Sequence, residues 1–558
     1  MGEDRARRSA PLTPVAEQTG ELTEAGVRLE QGYAETTTWW LACVLAFLRA
    51  VPALVAIGAT TALTAYGFRS SAAQTDDEGT YLAQAWSITH LGSLSQYTYW
   101  YDHPPVGWIT LALLEQAISP FLSFGTTLET GRAAMLPVTL ASATLLYVVA
   151  RRAGITRGYS TVTVLLFGLS PLAIQFHRMV LLDNFAGLWT LAAMAFALTP
   201  ARRIWATAAC GSCLALAVLS KEAALLLLPA MALLVWRNCD LRTRRFAYTL
   251  AASAFVLVVS VYPLYAALKS ELLAGSGHVS IESALRWQFF QRQTSGSVLT
   301  AHSRADGIVR GWLAQDRWLL AGAFVALPFA AIVRRLQPFA LAFGTLALIP
   351  VKPGYLPEMF VIAILPFAAL LVGGSLDALW QLSRERVRDG RLRMLPLRAA
   401  SPIAALALCA GAALLVAPAW AHSIARDDHA DHNRGYRQAL RFLISSVPHQ
   451  STLIVDDNMW LDLVEGGFER DRVVWMYKLR RDPAVDCRYP DGWRDFDYLV
   501  VTPVMRALKF DLPEAFTGLK SHVAATYGSG TDRYTILRID HGSGYLAPSP
   551  RAGCPPIP

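Results

Sequence analysis

Residues 50–78 of the chain read AVPALVAIGATTALTAYGFRSSAAQTDDE. The first part, Ala50–Phe68, carries no charged side chain, and a helix of about 20 apolar residues crosses the ~30 Å hydrocarbon core of a bilayer. Three consecutive carboxylates, Asp76, Asp77 and Glu78, follow shortly after it. This stretch therefore predicts a membrane span that ends close to a cluster of acidic side chains.

The composition extends this prediction to the whole chain. Of 558 residues, 54% are hydrophobic and only 16% are charged, against roughly 25% charged in an average soluble protein. We therefore expect an α-helical polytopic membrane protein. The formal net charge is +8, and in membrane proteins such an excess usually lies in cytoplasmic loops. No nucleic-acid partner is expected.

Eleven stretches are apolar enough to be candidate spanning helices. They are Ala50–Phe68, Gly131–Val149, Tyr159–Phe176, Asp183–Leu198, Ile204–Leu219, Ala223–Trp236, Phe246–Leu268, Trp318–Val333, Pro338–Val351, Pro357–Trp380 and Ser401–Trp420. A bilayer cannot satisfy bare backbone groups, so each span must be helical.

The arginines fix the predicted orientation, because they lie in every second connection between these spans. By the positive-inside rule those connections are cytoplasmic. So is the N-terminal segment 1–49, which includes an interfacial helix. The membrane domain then covers residues 50–420, with long external loops at 69–130 and 269–317. This orientation requires that the apolar stretch Pro104–Leu122 lies on the outer leaflet as an interfacial helix; a spanning helix is the alternative.

The tail, residues 421–558, is predicted to be a small extracytoplasmic α/β domain. Helical patterns at Gly435–Ser446 and Trp460–Gly466 alternate with short apolar strands at Thr452–Val455, Val473–Tyr477 and Tyr498–Val501. A final hairpin pairs His522–Tyr527 with Tyr534–Ile539. Cys487 and Cys554 are the only cysteines predicted outside, where they can form a disulfide; free thiols are the alternative.

Charged residues at the ends of the predicted spans are the candidates for chemistry. Asp76, Asp77 and Glu78 suit a general base or a metal site, although acidic residues at a helix start also serve as plain N-terminal caps. Asp183, which begins a predicted span, allows the same two interpretations.

Basic residues also lie near the membrane surface. Arg178 precedes Asp183, while Lys221 and Lys352 lie between apolar runs. A lysine at membrane depth is expensive unless it meets an anion or extends to the interface by snorkelling. Both readings are open for each lysine.

The order of these motifs resembles the C-type glycosyltransferase superfamily, in the branch of the protein O-mannosyltransferases and lipid A aminoarabinose transferases. Asp77-Glu78 with Tyr81 is similar to the acidic pair and tyrosine of the family's first external loop. His103-Pro104-Pro105 is similar to its charged-residue-Pro-Pro segment, although the aminoarabinose transferases have lysine in place of His103. Leu181-Leu182-Asp183 resembles the second acidic motif, and Leu219-Ser220-Lys221-Glu222 the Leu-Thr-Lys-Gly motif. The resemblance covers Ala50 to Trp236 well and does not extend to the tail.

The resemblance implies transfer of a sugar from a polyprenyl-phosphate donor to an acceptor hydroxyl. The acceptor would be a glycan, glycolipid or protein, and the enzyme a hexosyl- or pentosyltransferase in the cytoplasmic membrane of a bacterium. Asp77 is the predicted general base, and direct displacement at the anomeric carbon would invert the configuration. Glu78 and Asp183 are expected to orient the substrates.

Further residues are assigned to substrate binding. Lys221, Arg178 and Lys352 are expected to stabilise the departing phosphate, with Arg292 closing from the second loop. Tyr81, Asp102 and His103 complete the predicted binding set, in which His103 is a weaker phosphate ligand than Lys221.

A divalent cation on Asp77, Glu78 and Asp183 is permitted by their hard oxygen ligands. A transporter or lipid flippase is the competing function. That function would place ionisable residues in mid-membrane and give related halves. Here the charges cluster at helix ends on one face, and this favours an enzyme.

Overall fold

The computed structural model describes residues 43–199, 204–388, 411, 414–479, 481–508, 520–541 and 554, and most of them are helical. The chain separates into two units, Met1–Val55 and Ala56–Pro558. In the first unit, the described residues 43–55 belong to one helix. The candidate site and the sheet belong to the second unit. Residues 1–42 of the predicted N-terminal segment 1–49 lie outside the described residues. Residues 401–410 of the last predicted span also lie outside them.

Sixteen helices precede the tail in the described part of the chain. We number them α1 (Cys43–Ala65), α2 (Asp76–Leu91), α3 (Val106–Ile118), α4 (Thr127–Arg152), α5 (Arg157–Gly168), α6 (Pro171–Arg178), α7 (Leu182–Ala197), α8 (Ile204–Ser220), α9 (Leu228–Asn238), α10 (Arg244–Val259), α11 (Val261–Leu268), α12 (Ile281–Arg286), α13 (Arg304–Ile332), α14 (Gln337–Ala347), α15 (Val361–Arg388) and α16 (414–428). Short 3-10 turns cover Glu222–Leu227 and Glu358–Phe360, and a π-helical turn covers Trp287–Gln291.

Fewer helices are long enough to cross a membrane than the eleven spans predict. Within the described residues four qualify by length and composition: Cys43–Ala65, Thr127–Arg152, Arg244–Leu268 and Glu358–Ser383. A fifth is the pair α5 and α6, which is bent by 62°. Pro171 begins α6 after the break, because proline fits the first turn of a helix and cannot continue one from before.

Another break explains why the predicted span at 318–333 is only part of α13. Asp316 has non-helical backbone angles inside α13. Its Oδ1 accepts the backbone N–H groups of Trp318 and Leu319 at 3.0 and 3.1 Å, which caps the second half of the helix. The same carboxylate accepts Ser170 Oγ and Trp420 Nε1, so one side chain joins three helical segments.

The arginine-rich connections meet at one end of the helices. Arg335 Nη1 donates to the carbonyl oxygen of Gly154 at 2.6 Å, and Arg335 Nη2 pairs with Asp377 Oδ2 at 2.7 Å. Arg237 Nη1 donates to the carbonyl oxygen of Arg334 at 2.8 Å. Connections that the positive-inside rule assigned to one side are therefore in mutual contact.

Helices α2 and α3 form most of the ordered structure in the first loop, residues 69–130. Helix α3 has 13 residues and is about 20 Å long. It is too short to cross a bilayer, as the predicted interfacial helix requires. It packs against α2 and α4. A Cβ on Gly107 would lie 2.5 Å from Leu182 Cδ2, so the missing side chain lets α3 approach α7 closely.

The tail folds as the predicted small α/β arrangement. Its helices are α17 (Arg434–Ser446), α18 (Asp457–Glu465), α19 (Pro483–Arg488) and α20 (Pro503–Leu508), and its strands are β1 (Leu453–Val455), β2 (Val473–Trp475), β3 (Tyr498–Val501), β4 (Ser521–Tyr527) and β5 (Tyr534–Ile539). The strand order is β2-β1-β3-β5-β4. Strands β1, β2 and β3 pair in parallel, and β5 is antiparallel to both β3 and β4.

The strand sequences explain this arrangement. The parallel strands are buried along their whole length. Strands of a parallel sheet that is covered on both faces are continuous apolar runs, and these strands fit that pattern. Strand β4 is largely exposed and lies at the edge. Cys487 and Cys554 form a disulfide, which confirms that prediction.

The sheet does not stand apart from the first loop, because the two share one hydrophobic core. Tyr81, Trp108, Trp460 and Trp475 all belong to it. Asn458 Nδ2 donates to the carbonyl oxygen of Thr75 at 2.9 Å. The N-terminus of α18 packs on α2 at Gly79, where a Cβ would overlap backbone atoms of Asp457 and Asn458.

Substituting Gly79→Ala should therefore separate α18 from α2. The new methyl group meets backbone atoms that cannot rotate away, and overpacking of this kind costs roughly 1–3 kcal/mol. We expect a lower thermal unfolding midpoint for the purified full-length protein. Gly311→Ala, at an exposed helical position with open space around it, is the matched control. It should unfold no earlier than the wild type, because alanine favours a helix over glycine. Equal midpoints for the two variants would contradict the close contact at Gly79.

Candidate active site

The three consecutive carboxylates at the start of α2 point to three different environments. Successive residues of a helix are rotated by about 100°, so Asp76, Asp77 and Glu78 cannot face the same partner. Asp76 interacts with Asp456 and Asp457 of the tail. Glu78 is fully buried in an ion pair, and Asp77 remains half-buried.

Glu78 holds the first loop in place and does not face a substrate. Arg132 Nε and Nη2 donate to its two oxygens at 2.8 and 2.7 Å, and both side chains are 0% exposed. The backbone N–H of Val180 also donates to Glu78 Oε1 at 3.0 Å. With both oxygens engaged, Glu78 is not available to orient a substrate or bind a cation, which corrects the role predicted from the sequence.

Asp77 is the carboxylate of this trio that has no hydrogen bond or ion pair in the described part of the chain. It interacts electrostatically with Asp183, Lys221 and Tyr81. Tyr81 lies one helical turn after Asp77, on the same face of α2. Burial, with the charge of Asp77, raises the pKa of Tyr81 well above its ordinary value, so this phenol keeps its proton.

Lys221 connects the helices to the first loop through His103. Lys221 Nζ lies 3.1 Å from His103 Nε2, and His103 Nδ1 lies 3.1 Å from Glu222 Oε2. An ammonium group can only donate, so Nε2 accepts and Nδ1–H donates to Glu222. His103 thus has both nitrogens engaged, whereas two N–H donors of Lys221 have no acceptor among the described residues.

The charge of Lys221 is maintained by its surroundings. Burial favours the neutral amine, but the negative charges of Asp183, Glu222 and Asp77 outweigh it and raise the pKa of Lys221. For Glu222, burial opposes ionisation, but His103 and Lys221 lower its pKa well below the ordinary value. The pair is therefore charged at neutral pH.

The second loop, residues 269–317, extends this chain of contacts. Gln288 Nε2 donates to Glu222 Oε1 at 3.2 Å, and Arg292 Nη1 donates to Gln288 Oε1 at 2.8 Å. The Arg292 guanidinium lies 3.4 Å from the ring centroid of Tyr355. Arg292 is thereby connected to Lys221 and His103 through Gln288 and Glu222, with its guanidinium against the ring of Tyr355.

Asp183 is placed at the first turn of α7, with its side chain almost completely buried. The charges of Lys221, Asp77 and Glu222 act on it. Its Oδ2 has no hydrogen-bond partner in the described part of the chain. A buried carboxylate oxygen without a donor is costly, and a substrate hydroxyl can satisfy it.

Two predicted basic residues do not join the site. Arg178 is buried and donates to Ser71 Oγ and to the carbonyl oxygens of Leu63, Thr64 and Tyr66; it also pairs with Asp428 at 2.8 Å. It therefore caps the end of the first helix. Lys352 is exposed, and no side-chain contact of its ammonium group occurs among the described residues, so snorkelling explains it better.

Asp102 lies at the edge of the site. It is exposed, and its charge acts on Tyr81 as well as on the tail residue Lys478. The seven residues of the predicted binding set therefore divide into three groups. Four belong to the site (Tyr81, His103, Lys221 and Arg292), Asp102 lies at its edge, and Arg178 and Lys352 lie outside it.

The predicted three-carboxylate cation site does not form as a set, because Glu78 is occupied by Arg132. Among the described residues, no group of three or more His, Cys, Asp or Glu side chains is arranged to hold a metal ion.

Sequence reasoning missed four contributors to the site: Arg132, Glu222, Gln288 and Tyr355. Arg132 had a usable signal, because an arginine inside an apolar span requires a named partner. Glu222 lies in the motif that contains Lys221, and the sequence alone offered no reason to assign it a role. Gln288 and Tyr355 belong to loops whose folding depends on distant contacts.

Several solved structures share this architecture. ArnT from Cupriavidus metallidurans in the apo state matches with a TM-score of 0.53 and 16% identity, over 89% of this chain and 98% of ArnT. The ArnT structure bound to undecaprenyl phosphate gives 0.51 and 16%, over 88% and 98%. The archaeal oligosaccharyltransferase AglB from Archaeoglobus fulgidus, in complex with an inhibitory peptide and a dolichol-phosphate, gives 0.50 and 10%, over 86% and 74%.

The chain has the fold of the C-type glycosyltransferases. This confirms, at the level of the fold, the resemblance carried by the motifs at Asp77, His103, Asp183 and Lys221. It also confirms the polytopic helical class with a small C-terminal sheet. No protein-family model and no curated protein matches the sequence; the C-type fold is recognised through structure.

The contact between α2 and the tail should depend on pH. Burial, together with the charges of Asp77 and Asp456, raises the pKa of Asp76 to about 7. Burial and the charge of Asp76 also raise the pKa of Asp457. The folded protein therefore binds more protons than the unfolded chain between the ordinary Asp pKa of about 4 and about 7. Stability is fully present below this range and decreases as the pH rises through it.

Thermal unfolding measured between pH 4 and pH 8 checks this expectation. Asp76→Asn removes one of the titrating groups, so its midpoint should change less with pH than that of the wild type. A steeper dependence in the variant, or a wild-type stability that rises from pH 4 to pH 7, would refute it.

Proposed function

We propose that this protein transfers a sugar from a polyprenyl-phosphate donor to an acceptor hydroxyl, with inversion at the anomeric carbon and Asp77 as general base. The observation that carries the proposal is the environment of Asp77. It is a half-buried carboxylate without a partner in the described part of the chain, and it interacts with the charge of Lys221.

The reaction needs opposite chemistry at its two ends. The acceptor oxygen forms a bond to the anomeric carbon while the bond from that carbon to the phosphate oxygen breaks. The hydroxyl proton goes to Asp77, and negative charge develops on the departing phosphate. Lys221 has two free N–H donors for that charge, and Arg292 offers a guanidinium suited to phosphate.

Sugar orientation is assigned to Asp183. Its Oδ2, which has no hydrogen-bond partner among the described residues, accepts a sugar hydroxyl. Its carboxylate interacts electrostatically with Lys221 on the phosphate side of the site. His103 and Tyr81 position these groups: the imidazole connects Lys221 to Glu222, and the Tyr81 and His103 ring centroids lie 6.4 Å apart.

The relatives support a lipid-linked donor. The similar ArnT structure holds undecaprenyl phosphate, and the AglB structure holds a dolichol-phosphate and a peptide. In this chain the apolar helices offer an apolar surface for such a lipid tail, and Lys221 and Arg292 supply cations for its phosphate. The acceptor class, whether glycan, glycolipid or protein, and a hexose or pentose as the sugar, are left to experiment.

A divalent cation is retained as a proposal on two of the three residues named from the sequence, Asp77 and Asp183. Chelation with EDTA followed by addition of Mg²⁺ or Mn²⁺ tests it. Turnover that is lost and then restored supports the cation, and turnover that continues in EDTA refutes it.

Replacing Asp77→Asn should abolish turnover while leaving donor binding intact. The amide keeps the shape of the side chain and cannot accept the hydroxyl proton, and loss of a general base lowers rates by typically 10²–10⁴-fold. Radiolabelled sugar transfer measures turnover, and binding of undecaprenyl phosphate measures donor affinity.

Asp76→Asn is the matched control, because it makes the same change one residue earlier, on the side facing the tail. It should keep turnover near the wild-type level. Full activity of Asp77→Asn would reject Asp77 as the base. Altered movement of a lipid across vesicles, without any glycosidic product, would favour the transporter or flippase alternative.

The active site and the tail are proposed to face outward from a bacterial cytoplasmic membrane. All cysteines except Cys487 and Cys554 are first replaced by alanine, and one new cysteine is introduced at exposed Leu273 in the second loop or at exposed Arg242 in a basic connection. An impermeant maleimide applied to intact cells should label Leu273→Cys and spare Arg242→Cys. The reverse pattern would overturn the orientation.

A further inference from the structure

Lys478 of the tail lies inside a group of aromatic rings next to the candidate active site. The residue is buried, with an exposed fraction of only 8%. The ammonium nitrogen is 5.4 Å from the ring centroid of Tyr97, 5.5 Å from Trp100, 6.0 Å from Trp475 and 5.6 Å from Tyr477. We call these four rings the aromatic cage. Two of them come from the first loop and two from the sheet domain.

The ammonium group in the cage lacks the hydrogen-bond acceptors that a buried charge needs. No described residue accepts a hydrogen bond from Lys478 Nζ, although three negative charges, Asp482, Asp102 and Asp457, act on it from nearby. Aromatic faces stabilise a cation, but they do not replace acceptors for three N–H donors. Lys478 is therefore ready to receive an anionic group.

The neighbouring carboxylates do not fill that role. Asp482 accepts the backbone N–H groups of Thr98 and Ala484 at 3.0 and 3.1 Å. Asp457 accepts the hydroxyls of Thr80 and Tyr477. Asp102 is exposed to solvent. Their hydrogen-bonding capacity is directed elsewhere. Burial, with a smaller contribution from the charge of Arg481, lowers the pKa of Lys478, and the charges of these three carboxylates oppose that shift.

The cage adjoins the candidate active site on the side of the tail. The charge of Asp102 acts both on Lys478 and on Tyr81, and Asp102 immediately precedes His103. Trp100 is 40% exposed, whereas Tyr97 and Trp475 are buried. Trp100 is therefore the most exposed ring of the cage, and an incoming molecule would approach Lys478 from its side. The cations assigned to the donor phosphate, Lys221 and Arg292, come from other segments.

We propose that the aromatic cage, with the exposed face of Trp100, is the acceptor subsite, and that the acceptor is a saccharide carrying an anionic group distinct from its reacting hydroxyl. The anion, a carboxylate or a phosphate, takes the free N–H donors of Lys478. The sugar ring beside it stacks on Trp100, an apolar platform that suits its C–H face. This inference rests on the proposed function, and it assigns a role to the tail.

Ligand-observed NMR with the detergent-solubilised full-length protein tests the subsite. The probes are D-glucose, D-glucuronic acid, glucose 6-phosphate and inorganic phosphate. For the wild type we expect at least tenfold tighter binding of the two charged sugars than of glucose or inorganic phosphate. A preference for only one charged sugar identifies the anion as carboxylate or phosphate. Equal binding of glucose and both charged sugars would overturn the proposal.

Variants assign the preference to residues. Lys478→Met should abolish the tenfold preference, while Lys478→Arg, which keeps the charge, should retain most of it. Trp100→Ala should weaken neutral and charged sugars alike. Lys520→Met, at an exposed lysine of the same domain, is the matched control and should bind as the wild type does. If Lys478→Met folds with an unchanged unfolding midpoint and keeps the preference, or if Lys478→Arg loses it as fully as Lys478→Met, the cage is only a structural support.

Binding of undecaprenyl phosphate separates this inference from the proposed function. Lys221→Met should lower that affinity at least tenfold, and Lys478→Met should leave it unchanged. A wild type that does not bind undecaprenyl phosphate defeats the proposed function. A wild type that binds the lipid but shows no preference for charged sugars defeats only the acceptor subsite.

Discussion

The buried ion pair between Glu78 and Arg132 is the interaction on which the rest of the site depends. Arg132 also donates to the carbonyl oxygens of Phe68 and Ala72, and Glu78 accepts the N–H of Val180. One pair thereby ties α2, α4, the end of the first helix and the approach to α7. Removing one partner of such a pair costs about 3–5 kcal/mol. Because Glu78 is fixed inward, helical geometry directs Asp77 and Asp76 to different sides.

The resulting site has two sides built from different parts of the chain. On one side Lys221, His103 and Glu222 join Gln288 and Arg292 in a continuous chain of contacts. This side suits a phosphate. On the other side, the tail contacts helix α2 at Gly79. Asp77 interacts electrostatically with Lys221 of the first side and with Asp76, which faces the tail. This placement suits the proposed role of Asp77 as the base.

Local patterns predicted much of this architecture. The tail strands and the disulfide followed from alternating apolar runs and from two cysteines outside the spans, and Asp77, Asp183 and Lys221 were recognised from their order. The helix breaks at Pro171 and Asp316 were missed because hydropathy averages over a kink. Arg178 and Lys352 are basic residues of the kind that bind phosphate. Only their surroundings in the structure show that they lie outside the site. The contact of Gly79 with Asp457 and Asn458 has no local signature at all, since the two segments are almost 380 positions apart.

That separation also constrains biosynthesis. A ribosome releases α2 early, whereas the segment against which it packs emerges only when most of the polypeptide has been translated. Until then the acidic start of α2 has only part of its final surroundings, and long-range contacts of this kind form slowly. The completed centre is therefore a late product of maturation, and a chain interrupted before residue 457 would carry every residue assigned to the donor side while lacking the surface that seats the helix bearing Asp77.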